Sequence, residues 1–298
     1  MKRHILICLI VGFIAIMGCT DKDRDSKTSS PTAGILTIGV DESLRPFVED
    51  EIRTFLFYYN QADIIPLYMP EKKVIAKLIS NQIQTAIICR DLYDDEIDLI
   101  KINYNHSAIR CKLAEDKIVA VVNNANPINE ISPDDIRDIL SGKITDWGQL
   151  DPTFIEKSTI VLVLTDSSSI DRYFTSINNH LFPVTSYGLA TTTEVIEYVK
   201  NNPYALGVLG GSWFYQKGEK YKDVKMLGYK KDISRNNNPE QGLTREVFAV
   251  THEPFSGLGI GFISFLGEQK GQLIILKAGM IPYKPIERNV KITRSYED

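Results

Sequence analysis

The chain has 298 residues and a formal net charge of −4 at pH 7. That length is enough for two domains of common size, and the mildly acidic balance gives no global electrostatic reason to bind nucleic acid. The four cysteines and four histidines are scattered without the spacing of a zinc site, so neither a metal nor a cofactor is expected.

The N-terminus has the pattern of an export signal. Lys2 and Arg3 precede an apolar run of 13 residues, Ile5 to Met17, which is too short for a comfortable membrane span. The run Ile16–Cys19 resembles a bacterial lipobox, which implies cleavage before Cys19 and lipidation of its thiol. An ordinary secretory signal that happens to contain a cysteine is the alternative.

Cleavage after residue 18 leaves 280 residues, and the loss of Lys2 and Arg3 takes the formal charge to about −6. Residues 19–33 are rich in Ser, Thr and charged side chains and hold no aliphatic residue larger than Ala, so they are predicted to be a disordered tether. The body is therefore expected in the bacterial cell envelope, on the periplasmic side, held to the membrane by a lipid anchor at Cys19.

Strand and helix patterns alternate along the rest of the chain. Such alternation predicts an α/β fold with mostly parallel sheets covered on both faces. The stretch Tyr229–Gly242 is rich in breakers and predicts an exposed loop. Apolar runs predict strands, and helical spacing predicts helices, as follows: strands at Gly34–Val40, Ile64–Met69, Thr85–Cys89, Ile118–Val122, Thr159–Leu164 and Leu206–Leu209; helices at Leu44–Tyr58, Val74–Ile79, Ile170–Ile177 and Glu194–Lys200.

The stretch from Lys117 to Leu150 carries the clearest local signals. Its first strand ends in an Asn-rich loop, after which Ser132 offers an N-cap hydroxyl and Pro133 suits the first helical position. Asp135 completes a box-like Ser-x-x-acid pattern, and Gly142 ends the helix where a left-handed residue is favoured. The stretch predicts a strand, a loop and a short capped helix.

The same stretch resembles the start of the second lobe in phosphate-type solute-binding proteins of ABC importers, the type II periplasmic binding proteins. Asn126-Pro127 and the run Ser141–Trp147 fill the places of an Asn-Pro turn and a Ser-Gly-Lys-Ile-Thr-x-Trp motif. Two further matches follow in order and extend the resemblance over much of residues 34–292: Thr193–Val195 with Asn202–Gly207, and Phe262–Phe265 with Gly271, Ala278–Pro282 and Arg288.

This resemblance implies a two-lobed fold in which two crossover strands form a hinge. Residues 34–115 and 225–298 are expected to form lobe 1, and residues 116–224 lobe 2. The chain is expected to cross near Glu115–Lys117 and to return near Val224–Leu227. The resemblance places the ligand in the cleft between the lobes, which close by a hinge motion.

In this family oxyanions are held at helix N-termini, where free N–H groups and the helix dipole favour negative charge. Ser43 occupies a hydroxyl position in the loop after the first strand, but Asp41 and Glu42 replace small or hydroxyl residues there. Asp41 either repels an anion or simply caps the helix. The second loop has no Gly and contains Pro70 and Glu71; its two lysines, Lys72 and Lys73, either reach an anion or remain solvated.

The third loop follows the strand at Thr159–Leu164. Ser168 and Ser169 supply hydroxyls for a ligand, and Arg172 sits one place later than the usual arginine; a run of serines is also an ordinary N-cap. Arg90 either binds an anion or pairs with Asp91, Asp94 or Glu96 at the start of the next helix. For Thr244-Arg245 a structural role across the hinge is the safer interpretation.

The leading hypothesis is a lipid-anchored solute-binding protein that delivers phosphate or a related small oxyanion to an ABC permease. Asp41, Glu42, Pro70 and Glu71 motivate the alternative: an envelope lipoprotein that retains the fold with an altered pocket and acts as a sensor, scaffold or adhesion module. An enzyme is not expected, because Ser167–Ser169 lack a Gly-x-Ser-x-Gly elbow and no phosphate-cradling P-loop run is present. Whether Cys89 and Cys111 form a disulfide is left open.

Overall fold

Strands and helices alternate through the chain as the sequence patterns predict. The structure, a computed structural model, describes residues 30–152, 158–177, 185–215, 221–230, 243–253 and 257–286. The predicted signal, Cys19, most of the predicted tether and the greater part of the predicted loop Tyr229–Gly242 lie outside the described residues.

The strands and helices have the following bounds. The strands are β1 (Ala33–Asp41), β2 (Gln61–Met69), β3 (Thr85–Ile88), β4 (Ile109–Asn123), β5 (Glu130–Ile131), β6 (Val161–Thr165), β7 (Ser186–Leu189), β8 (Ala205–Gly210), β9 (Val224–Met226), β10 (Gly228–Tyr229), β11 (Thr244–Thr251) and β12 (Ile281–Pro282). The α-helices are α1 (Arg45–Tyr58), α2 (Glu71–Ile79), α3 (Asp94–Tyr104), α4 (Pro133–Leu140), α5 (Ser169–Ile177), α6 (Thr192–Asn201), α7 (Ser212–Tyr215), α8 (Leu258–Gly267) and α9 (Gln269–Lys277).

The main strands follow the order β2-β1-β3-β11-β4-β8-β6-β7. Strands β2, β1 and β3 are parallel to one another, as are β8, β6 and β7, while β11 and β4 run antiparallel to their neighbours. Each half of the sheet therefore has a parallel part, and the carboxyl ends of its strands share one edge. The predicted two-lobed periplasmic-binding-protein-like α/β fold is confirmed by this topology, with one lobe on each half of the sheet.

Strand β4 joins the two halves. Its first part, Ile109 to Lys117, pairs with β11, and its second part, Ile118 to Val122, pairs with β8. The outward crossing therefore lies at Lys117–Ile118. Strand β9 still pairs with the second part of β4, and the chain reaches the first lobe at Thr244, where β11 begins. The return crossing thus lies later in the chain than Val224–Leu227.

Each half of the sheet is covered by apolar clusters on both faces. In the first half, Phe55 packs edge-on against Phe262 and Phe265 at centroid distances of 5.3 and 5.4 Å. On the opposite face α2 and α3 bury Val74, Leu78 and Ile100. Since aromatic edge-to-face pairs add about 0.5–1.5 kcal/mol to their area burial, the α1–α8 contact is a major stabilising feature of lobe 1.

In the second half, the Ser-Gly-Lys-Ile-Thr-x-Trp run supplies the central core residue. Trp147 is fully buried, and its indole N–H donates to the Tyr204 carbonyl at 3.1 Å. The helix before it begins as predicted, because the Ser132 hydroxyl accepts the Asp135 amide while the Asp135 carboxylate accepts the Ser132 amide. Gly142 adopts φ +75°, the left-handed conformation that Gly tolerates best.

Among the described residues, no helix combines the length and apolar character that crossing a membrane requires. Cys89 and Cys111 are free thiols, so the disulfide that the sequence left open is not formed in this structure.

Candidate functional site

The carboxyl ends of the parallel strands from the two lobes meet at the crossing of the chain. Asp41 ends β1, and Glu71 begins the helix after β2. From the second lobe, Ser169 begins α5 after β6, and Thr192 begins α6 after β7. In open α/β sheets ligands bind at such an edge, because helix N-termini and loop amides point into the crevice there.

Asp41 is the central acceptor of this crevice. Its Oδ1 accepts the Ser43 amide at 2.9 Å and the Ser43 hydroxyl at 2.6 Å, so the sequence-predicted capping role of Asp41 is confirmed. Its Oδ2 also accepts the amide of Ser169 from the other lobe at 3.3 Å. The first N–H of α5 has no acceptor within its own helix, and this carboxylate satisfies it.

Glu42 makes the same kind of contact with the second helix of lobe 2. Its Oε2 accepts the Thr192 amide at 3.0 Å and the Thr192 hydroxyl at 2.7 Å. The Glu42 side chain is almost fully buried, and this burial raises its pKa, although the bonds from Thr192 act in the opposite direction. A carboxylate at a helix N-terminus is favourable because it faces the positive end of the dipole.

Glu71 is the third acid that crosses the crevice. Its Oε1 accepts the Cys89 amide at 2.7 Å, and its Oε2 accepts Nε of Arg172, a lobe 2 residue, at 2.6 Å. Burial raises the pKa of Glu71, and the nearby Asp41 carboxylate raises it further, while Arg172 counteracts both. Glu71 is only 2% exposed, whereas the Arg172 side chain is 33% exposed, so this ion pair is desolvated on the Glu71 side.

Arg245 lies beneath these acids, at the start of β11. Its guanidinium donates to Asp116 Oδ2 from Nε at 3.1 Å and from Nη2 at 2.7 Å, and both side chains are at most 2% exposed. The same guanidinium donates from Nη1 to the hydroxyls of Ser43 and Ser169. One arginine therefore links the hinge strands to the predicted ligand loops of both lobes.

Gly210 makes room for this buried ion pair. A Cβ at this position would lie 2.4 Å from Arg245 Nη2 and 2.7 Å from Asp116 Oδ2. Since real Cβ atoms do not approach polar atoms that closely, any side chain at Gly210 would displace the guanidinium. The last residue of β8 therefore has to be glycine for the Arg245–Asp116 ion pair to form.

The donors of the crevice are arranged for an anion, and in this structure the anions are the protein's own carboxylates. The hydroxyl oxygens of Ser43 and Ser169 are 3.4 Å apart, which leaves no space for an oxyanion between them. Asp41, Glu42 and Glu71 from lobe 1 instead take the amides and the arginine of lobe 2. The crevice is closed by contacts between side chains and amides of the two lobes.

The acids do not form a metal site. Oxygens of Asp41 and Glu71 and the Cys89 sulfur lie within 4.8 Å of one another, as metal ligands do. Each of the two carboxylates already accepts N–H groups, and the positive charge beside them comes from Arg172 and Arg245. Burial raises the pKa of the Cys89 thiol, which disfavours the thiolate that a metal would need.

A cavity of about 460 Å³ lies beside the closed crevice. It opens between α2 and the β3–α3 loop of lobe 1 and α5 of lobe 2, and its walls include Lys72, Ile75, Arg90, Tyr93 and Arg172.

Comparison with known proteins identifies the family. The sequence model of the PBP superfamily domain matches residues 25–268, which is most of the chain. The chain belongs to the PBP superfamily. This is a family of solute-binding proteins rather than a class of enzymes.

Its relatives among PBP proteins are distant in sequence. The phosphate-binding protein PstS of Borreliella burgdorferi is 20% identical over 298 residues, which cover 95% of this chain and 100% of that protein. Two solved structures share the fold, and each aligns over 84% of this chain and 100% of the other. They are a Clostridium perfringens protein assigned as a phosphate ABC transporter substrate-binding protein, with bound phosphate (TM-score 0.70, 22% identical), and an ABC-type phosphate transport receptor from Vibrio cholerae (TM-score 0.59, 20% identical).

The predicted ligand residues of this PBP chain lie in different parts of the site. Ser43 and Ser169 meet at the centre of the crevice, where both accept from Arg245. Arg172 lies at its edge and pairs with Glu71. Ser168 is committed to the turn between β6 and α5: its hydroxyl donates to the Thr165 carbonyl at 2.6 Å and accepts the Asp171 amide at 3.2 Å.

Arg90 lies at the wall of the cavity rather than in the crevice. Its guanidinium binds both carboxylate oxygens of Glu96, at 2.7 and 2.6 Å, and its Nη1 also donates to the Asp91 carbonyl. The structure therefore shows the local acid pairing that the sequence offered as one alternative. Cys19, the predicted lipidation site, lies outside the described residues.

Sequence reasoning missed three participants. The sequence pattern does not single out Thr192 as a site residue, although it begins a helix after a strand. For Arg245 it predicts only a structural role across the hinge, and Arg245 also reaches the predicted ligand loops. It makes Glu71 an obstacle to an anion, whereas in the structure Glu71 is an acceptor for Arg172. The spacing of residues along the chain carries no signal for contacts that cross between lobes.

Replacing Arg245 with Met is expected to lower the free energy of unfolding by about 3–5 kcal/mol, because Asp116 would remain buried without its partner. Adding Asp116→Asn to Arg245→Met should recover most of that loss. Urea denaturation followed by tryptophan fluorescence measures both effects. Arg53→Met, which removes an exposed pair with Asp50, is the control and should cost less than about 0.5 kcal/mol. A double variant no more stable than Arg245→Met would contradict the assigned pairing.

Proposed function

We propose that this chain is a solute-binding protein of an ABC importer that takes phosphate or a related small oxyanion between its two lobes. The observation that carries the proposal is the contact of Asp41 with the Ser169 amide and the Ser43 hydroxyl. Donors from both lobes converge there on a single negatively charged group. An oxyanion is the small solute whose chemistry matches that convergence.

The bound solute has to replace internal contacts. With the Ser43 and Ser169 hydroxyl oxygens 3.4 Å apart, the lobes must separate before an oxyanion can enter. Inside, the amides of Ser169 and Thr192 and the guanidinium of Arg245 would serve as donors. The two halves of the sheet, joined at Lys117–Ile118 and at 243–244, are the bodies we propose to move.

The buried acids favour an oxyanion that carries a proton. Hydrogen phosphate can donate its O–H to the Asp41 or Glu71 carboxylate while its other oxygens accept from the amides. Sulfate has no proton at neutral pH, so it would face these carboxylates with repulsion alone. The proposed site therefore prefers phosphate to sulfate, and the Asp41 and Glu71 carboxylates cause this preference.

A second function is favoured by the same closed crevice. If the internal carboxylates are never displaced, the protein is an envelope sensor, scaffold or adhesion module that keeps the fold without transporting a solute. The short Ser43–Ser169 separation and the complete satisfaction of Ser169 and Thr192 by lobe 1 acids support this alternative. Calorimetric titration with phosphate, sulfate and molybdate separates the two functions. If none of the three anions gives a heat of binding, the result favours the envelope protein that does not transport a solute.

Replacing Asp41 with Ser is expected to raise the affinity for sulfate by about tenfold and to reduce the phosphate-to-sulfate preference. The reason is that the variant removes one buried negative charge next to the anion, while Ser can still cap the following turn. Isothermal titration calorimetry with each anion measures both constants.

Asp63→Ser is the matched control, because Asp63 is exposed on β2 and should alter neither constant. A wild-type protein that prefers sulfate, or an Asp41→Ser variant with an unchanged preference, would contradict the role given to Asp41.

We also propose that Cys19 carries a lipid that anchors the protein in the bacterial envelope next to its permease. The apolar run before Cys19 and the polar stretch after it support this proposal. Fractionation of cells that express Cys19→Ala should find the protein released from membranes. Its continued membrane association would exclude the anchor.

A further inference from the structure

The cavity beside the crevice is too large for an inorganic oxyanion. Its volume of about 460 Å³ falls in the range that holds small organic ligands, about 300–1,000 Å³. Its walls come from both lobes, with Lys72 and Ile75 on α2, Tyr93 in the β3–α3 loop and Arg172 on α5. A molecule bound here would contact both lobes at once.

The acids of the cavity wall are already engaged. Glu71 accepts from Cys89 and Arg172, as described above. Glu96 accepts from Arg90 and from the Tyr93 amide at 2.8 Å. Asp171 accepts the Ser167 amide at 3.1 Å and the Thr175 hydroxyl. The wall therefore offers a ligand few uncommitted carboxylate oxygens.

The cations of the wall retain donors. Lys72 is exposed and has no ion pair with any described residue, so its ammonium group is available. Arg172 uses Nε for Glu71 and Nη2 for the Cys89 carbonyl, and among the described residues Nη1 has no acceptor. Because cationic side chains on both sides of the cavity have hydrogen-bond donors without acceptors among the described residues, the cavity favours a negatively charged group.

The same wall has an apolar part. Ile75 contributes a small apolar surface, since it is 5% exposed, and Tyr93, whose ring lies under the Arg90 guanidinium at 3.8 Å, is about half exposed. A carbon skeleton can cover these surfaces, and an inorganic ion cannot. Apolar walls with a few polar groups that fix orientation are typical of sites for organic ligands.

We propose that this cavity binds a small organic anion: an acid group held between Lys72 and Arg172, with a carbon body against Ile75 and Tyr93. This inference rests on the proposed solute-binding function, and it assigns a different class of anion to a second site, beside the crevice proposed for phosphate. While Asp41 and Glu71 occupy the inner crevice, the organic anion binds in front of them. Because Lys72 belongs to lobe 1 and Arg172 to lobe 2, the ligand stabilises the closed arrangement.

Calorimetry on the full chain with glycerol 3-phosphate, succinate and inorganic phosphate tests this proposal. One or both organic anions should bind at least about tenfold more tightly than inorganic phosphate, and the two arms show whether the acid group is a phosphoryl group or a carboxylate.

Lys72→Gln should weaken that binding by about tenfold, because it removes one of the two spare cations. Lys73→Gln is the matched control, because Lys73 is exposed on the same turn of α2 and does not line the cavity. The Lys73→Gln variant should bind the organic anion with unchanged affinity.

The possible failures are distinguishable. If inorganic phosphate binds and neither organic anion binds more tightly, the cavity proposal is overturned while the proposed function stands. If an organic anion binds tightly but Lys72→Gln and Lys73→Gln change its affinity equally, the ligand binds elsewhere. That result also overturns the cavity proposal. If no anion in the panel binds, both the cavity proposal and the solute-binding function fail.

Discussion

Free N–H groups at the starts of two lobe 2 helices face a buried crevice, and lobe 1 supplies the acceptors they need. Helix N-termini leave donors without intrahelical partners, and leaving such a donor buried and unpaired costs about 1–3 kcal/mol. Asp41 satisfies Ser169, and Glu42 satisfies Thr192. These acids therefore hold the two lobes together through direct contacts across the crevice.

Charge balance then limits what can enter. Asp41, Glu42, Glu71 and Asp116 are all at most 5% exposed, and Arg245 contacts both Asp116 and the serines of the ligand loops. A solute that opens the crevice must offset the contacts it breaks and coexist with carboxylates that remain. This condition favours a protonated oxyanion in the inner crevice, or an organic anion that stays outside it in the neighbouring cavity.

Much of the fold followed from local patterns. The Ser132–Asp135 cap, the left-handed Gly142 and the buried strand from Ile118 could be predicted because each depends on neighbours in the chain. The partners of the site could not, since Ser43 and Arg245 are separated by 202 positions and Glu71 and Arg172 by 101. The sequence pattern places the return crossing too early, because β9, the segment predicted to make it, still pairs with the lobe 2 part of β4.

Hydrogen exchange at the Ser169 and Thr192 amides, followed by NMR on the solute-free protein, tests the central claim directly. Both residues begin their helices, so their N–H groups have no intrahelical acceptor, and slow exchange requires the lobe 1 carboxylates. The account predicts protection of both amides in the wild-type protein, and its selective loss at Ser169 in Asp41→Ala and at Thr192 in Glu42→Ala. Rapid exchange of both amides in the solute-free wild-type protein, with the neighbouring strands still protected, would contradict it.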